Sequence, residues 1–122
     1  MSVLLDSVIL IDHLNGVGAA TRYLASLKEA SISVITRAEV LAGLAPGDVP
    51  AVKELLGRYP TIAIDRQIAD LAADLRRRHK WKLPDALQAA VAKQHGLQLG
   101  TRNTKDFPSR RFSFVVVPYS VR

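Results

Sequence analysis

A chain of 122 residues holds one domain's worth of structure, and 48% apolar against 23% charged residues give it a core and a soluble surface, which excludes global disorder. The absence of cysteine excludes disulfides, thiolate metal sites and a cysteine nucleophile, and His13, His79 and His95 are too scattered for a zinc pattern, so any metal must be held mainly by oxygen. The net charge of +6 is lopsided: residues 1–65 carry 5 Lys/Arg against 7 Asp/Glu (net −2) and residues 66–122 carry 12 against 4 (net +8), a bias that suits a polyanionic partner without requiring one.

The chain opens on the apolar run 3–5, closed by Asp6, and continues into a weaker helical pattern that contains Asp12. Residues 19–27 read as a helix and residues 32–35 as a second strand, with Glu39 one turn into the helix that follows. The turn 46–50 leads into a helix over 49–59, and residues 62–64 form a third strand. Asp65 then suits the N-cap of a helix over 67–79, in which Ile68, Leu71, Ala72 and Leu75 recur at helical spacing and Arg76, Arg77 and Arg78 fall at the end where the macrodipole favours cations. The clearest helix spans 84–95, with Pro84 in its first turn and Gly96 just past its end, before strands at 97–99 and 114–117. The strand runs are almost wholly apolar rather than alternating, and helices separate them. This pattern predicts an α/β fold: a parallel sheet covered on both faces by helices, as one domain over residues 1–122. No apolar run approaches the roughly 18 residues that cross a bilayer and no basic leader precedes the first run, so a cytoplasmic location and no membrane partner are expected.

In an open parallel sheet, ligands bind beyond the carboxyl ends of the strands, and acids fall at several of those ends. Asp6 ends the first run, Glu39 follows the second, Asp106 follows the fourth through Gly100-Thr101-Arg102-Asn103-Thr104-Lys105, and Asp85 opens the best helix. Clustered carboxylates repel unless a divalent cation joins them, and hard ions such as Mg²⁺ and Mn²⁺ prefer carboxylate and water oxygens. Such a site suits phosphodiester cleavage. Each acid also has a structural reading. Thr36-Arg37-Ala38-Glu39 fits a capping box, Asp85 suits a first helical turn, and Asp106 suits a loop cap. Asp6 fits structure least well, because an acid directly after a buried strand needs partners or a task. Asp65 is the main decoy; Asp12, Asp70, Asp74, Trp81 and the histidines are assigned to structure. No G-x-x-x-x-G-K-[ST] motif occurs and the Asp6 region lacks an Asp-x-Asp signature, which sets aside P-loop and phosphoryl-transfer domains.

The ordered set VLLDSVILIDHL, SVITRAEVLAGL, KLPDALQAAVAKQHGLQLGTRNTKDF and FVVVP resembles the PIN-domain ribonucleases, most closely the VapC-type toxins of prokaryotic toxin–antitoxin pairs, over nearly the whole chain. The resemblance implies a three-layer α/β/α sandwich and Mg²⁺- or Mn²⁺-dependent endonucleolytic cleavage of RNA. It matches Asp6, Glu39 and Asp85 to the family's three acids, and leaves the fourth position between Asn103 and Asp106. Thr36 and Thr101 match hydroxyl positions near the site. Where relatives commonly carry D-T-S or D-T-N, this chain has Asp6-Ser7-Val8, so Ser7 stands in from one position earlier. The resemblance further implies a homodimer and a VapB-type antitoxin. In this reading Arg76, Arg77, Arg78, Lys80, Lys82, Arg102 and Lys105 track the RNA backbone. The competing reading is a PIN module that binds RNA or a partner without cutting.

Overall fold

The computed structural model describes residues 2–121. Strand β1 (Val3–Leu5) runs directly into α1 (Ser7–Leu14), followed by α2 (Gly18–Ser26), β2 (Ala30–Ser33) and α3 (Val34–Ala42). A 3₁₀ turn (Pro46–Asp48) leads to α4 (Val49–Leu56) and β3 (Thr61–Ile62), then α5 (Arg66–His79), α6 (Leu83–Gln94), β4 (Gln98–Gly100) and β5 (Val115–Val116). The strands form one parallel sheet in the order β3-β2-β1-β4-β5. The chain therefore builds outward from β1 on one side and returns to start β4 on the other. That reversal opens a crevice at the carboxyl ends of β1 and β4, where α/β sheets bind ligands.

Both faces of the sheet are covered, which is why the central strand β1 is wholly apolar. Leu4, Leu99 and Val115 pack with Ile68, Ala72 and Leu75 of α5 and Ala86, Ala89 and Ala90 of α6. Val3, Leu5 and Ile32 face the opposite way, onto Ile9 and Leu10 of α1, Val40 of α3, and Val52 and Leu56 of α4. Alternate residues of β1 thus enter two separate cores, giving the expected three layers. Gly100 permits the tight junction of β4 with β1, since a Cβ there would stand 2.9 Å from Val3 Cγ1. The backbone N–H of Asp6 donates to the Gly100 carbonyl across this junction at 2.9 Å.

Several boundaries differ from the sequence reading. Strand β2 stops at Ser33, because the Ser33 hydroxyl accepts from the Thr36 N–H at 3.2 Å and starts α3 there, which makes Ile35 helical. The capping-box reading of Thr36 and Glu39 is thereby overturned: Ser33 is the cap, and Thr36 lies inside the helix. α4 ends at Leu56 rather than at 59, and β3 covers only Thr61–Ile62. Two helix-end readings agree with the structure. Asp65 caps α5, its carboxylate accepting from the Ile68 N–H at 2.9 Å, and Gly96 takes the left-handed φ of +64° past the end of α6.

Candidate active site

Asp6 is the residue on which the cleft is built. It is 7% exposed and caps α1, with Oδ1 accepting from the Ser7 N–H at 2.9 Å and from Gln88 Nε2 at 3.3 Å. Its Oδ2 accepts from the Thr101 hydroxyl at 2.7 Å. Three donors from α1, α6 and the end of β4 therefore fix one carboxylate, and none of them carries a charge. Thr36, fully buried, donates to the Leu5 carbonyl at 3.1 Å and so ties α3 to the residue before Asp6.

Around Asp6 opens a cleft of about 440 Å³ lined by Ser7, Glu39, Asp85, Arg102, Asn103 and Lys105 among others. A second lobe of about 530 Å³ shares Glu39, Asp85, Asn103 and Lys105 with the first, and adds Asp106, Lys80 and Lys82. All four acids singled out from the sequence thus meet in one two-lobed groove, although they come from four different elements. Asn103 and Asp106, between which the sequence left the fourth position open, are bonded to each other. Asn103 Nδ2 donates to Asp106 Oδ2 at 3.2 Å, and the Asp106 N–H donates to Asn103 Oδ1 at 3.3 Å. Trp81, a core residue as expected, holds the same loop with its indole N–H on the Asp106 carbonyl at 3.0 Å.

Among the described residues none of the four acids of the groove is ion-paired, although lysines share its lining. Withdrawal from water pushes the Asp85 carboxyl up to about 6, with the charges of Asp6, Asp106 and Glu39 adding to it and Lys82 opposing. Glu39 is raised too, first by partial withdrawal from water and then by Asp6, with the Ser7 hydroxyl pulling the other way. The donors are all hard oxygens, the set that suits Mg²⁺ or Mn²⁺. Among the described residues no three acid or imidazole side chains are gathered closely enough to hold one ion directly between them.

The basic residues divide into two groups. Lys80, Lys82 and Lys105 line the groove. Arg76, Arg77 and Arg78 lie outside its lining: Arg76 donates to the Trp81 carbonyl, and Arg77 and Arg78 pair with Asp74 on the exposed side of α5. Arg102 reaches the cleft wall, but its guanidinium is engaged by Asp12 in a two-pronged pair at 2.6 and 2.9 Å. Sequence reasoning missed Gln88 altogether. The available signal was a glutamine three residues after Asp85, set among the buried alanines Ala86, Ala89 and Ala90.

A model of the PIN domain matches residues 3–112. The chain belongs to the PIN-domain family. Ribonuclease VapC10 of Mycobacterium tuberculosis is 35% identical to it, over 98% of this chain and 94% of the relative. Among solved structures, a toxin–antitoxin complex from Klebsiella pneumoniae contains a chain that superposes with a TM-score of 0.91 at 37% identity, over 98% of this PIN domain and 99% of its own length. FitAcB from Neisseria gonorrhoeae superposes at 0.77 with 25% identity, over 98% and 99%. The PIN-like α/β fold expected from the sequence is therefore the fold of this chain.

Proposed function

We propose that this PIN domain is a metal-dependent endoribonuclease acting as the toxin of a VapBC-type pair, with Asp6, Glu39, Asp85 and Asp106 holding Mg²⁺ or Mn²⁺ directly or through water. The observation that carries the reading is the convergence of these acids in one groove, where withdrawal from water first, and then the charges of Asp6, Asp106 and Glu39, push Asp85 up to about 6. Relatives that cover nearly the whole chain are named ribonucleases, and a toxin–antitoxin complex shares its fold at 37% identity.

The bound cation would neutralise the acids and activate water for attack on a phosphodiester, lowering the barrier by stabilising charge on the phosphoryl oxygens. The residues of this chain supply position and binding. Ser7, Thr101 and Gln88 orient Asp6, and Asn103 keeps Asp106 turned toward the groove. Lys80, Lys82 and Lys105 stand where an RNA backbone would pass, and phosphate contacts of this kind fix the strand without reading its sequence. A VapB-type antitoxin fits the same groove, since an unneutralised acid cluster attracts a basic side chain. The homodimer and the single domain over residues 1–122 belong to the same reading.

The test is incubation of total cellular RNA with the purified protein in Mg²⁺, Mn²⁺ or EDTA, beside Asp6→Asn. Discrete cuts that need the metal and vanish in the variant are expected. Intact RNA under every condition, from folded protein, would replace this reading with that of a non-cutting PIN module.

A further inference from the structure

Below the floor of the groove lies a polar chain closed to solvent, with Ser33 and Thr36 fully buried and Gln88 1% exposed. The Ser33 hydroxyl donates to Gln88 Oε1 at 2.6 Å and accepts from the Thr36 N–H. Gln88 Nε2 donates to the Thr36 hydroxyl at 2.6 Å and to Asp6 Oδ1 at 3.3 Å, and Thr36 passes its own proton to the Leu5 carbonyl. The direction of this chain is fixed at its end, because a backbone carbonyl only accepts. Turning the amide over would aim Oε1 at the Asp6 carboxylate and at a Thr36 oxygen whose proton is already committed. One amide orientation satisfies every group, which is the condition under which a buried network specifies geometry rather than weakening it.

The placement of Gln88 gives the network a consequence. It stands one turn after Asp85 on the same face of α6. Its amide therefore ties the helix that carries Asp85 to the end of β1, where Asp6 begins, and to the start of α3, which carries Glu39. We infer that Gln88 is a positioning residue: it sets the mutual spacing of Asp6, Glu39 and Asp85, and with it the affinity of the groove for a divalent cation. The inference rests on the metal-dependent reading above. Its strongest links run through Ser33 and Thr36, with the longer bond to Asp6 completing the set.

The test compares wild type, Gln88→Met and Ala90→Gly by Mn²⁺ titration calorimetry, by kcat and KM on an RNA oligonucleotide, and by melting in EDTA. Ala90 is a buried residue of α6 outside the network, so Ala90→Gly reports general destabilisation. Loss of a group that orients metal ligands weakens metal binding about 10–100-fold, and the same loss is expected for Gln88→Met, with kcat falling and KM nearly unchanged because the lysines are untouched. Should the Met variant not fold, Gln88→Asn, one methylene too short to bridge, carries the same expectation. Unchanged Mn²⁺ affinity in the folded Gln88 variants overturns the inference, as does an equal loss in Ala90→Gly at matched melting temperature. A wild type that neither binds Mn²⁺ nor cuts RNA overturns the metal-dependent reading itself, and the inference with it.

Discussion

Asp6 and Asp12 sit on one continuous segment, at 7% and 5% exposure, yet the protein treats the two acids in opposite ways. Asp12 is answered within the chain: Arg102 grips both its oxygens, and the Tyr119 hydroxyl donates to Oδ2 at 2.7 Å. The Arg102 bond is the main reason the Asp12 carboxyl is held below its ordinary value, with burial opposing and Tyr119 assisting. Asp6 receives only neutral donors, and its charge helps to raise Asp85 and Glu39. A buried acid with a dedicated cation is part of the frame, whereas an acid surrounded by other acids is an electrostatic deficit that a ligand must complete. The two regions are joined at Arg102, one residue before Asn103, so the rigid pair anchors the loop that closes the groove.

The contrast is most exposed to test at Arg102. Replacing it by Met leaves Asp12 buried without its cation and should cost about 2–4 kcal/mol in urea unfolding, because breaking one side of such a pair strands the other. A cost below about 0.5 kcal/mol would make the pair equivalent to an exposed one and remove the distinction. Tyr119→Phe deletes one hydrogen bond to the same carboxylate, for an expected loss of about 1 kcal/mol, measured in the same way.

The two regions also carry opposite signs in pH. Asp12 has a lowered pKa, so its contribution is present above the ordinary value of 3.8 and disappears as pH falls through its folded value. Asp85 is raised from 3.8 to about 6, so its contribution is present below 3.8 and is lost as pH rises through about 6. In EDTA, mild acidification from neutrality should therefore stabilise the protein through the cleft while the Asp12 pair stays unaffected.

The legible part of this molecule was the part governed by topology. Once apolar strands and intervening helices are recognised, the sheet rule brings Asp6, Glu39, Asp85 and Asp106 to one end, whatever their separation in sequence. Pairings set by tertiary geometry were not legible. Asp12 meets partners 90 and 107 positions away, and nothing local distinguishes it from a solvated helix acid. Helix α1 begins directly after Asp6 with no loop, so its bounds were not legible in the apolar stretch that follows that acid. At the start of α3 the capping-box pattern pointed to Thr36, but the cap falls to Ser33, because Thr36 is drawn to Leu5 and Gln88. Gln88 was masked by the alanine-rich helix around it, where a single polar residue reads as surface until the buried face is known.

The most direct test of the central claim, that the groove is an acid cluster awaiting a cation, is the thermal unfolding of wild type and Asp85→Asn in EDTA and in Mg²⁺. In EDTA at about pH 7.5 the variant should be more stable by about 1 kcal/mol, a figure discounted for the water that still reaches the carboxyl, and the gap should close toward about pH 5 as Asp85 takes up its proton. Mg²⁺ should then stabilise wild type and leave the variant nearly unmoved. A variant less stable than wild type in EDTA, or one that gains as much from Mg²⁺, would contradict the account.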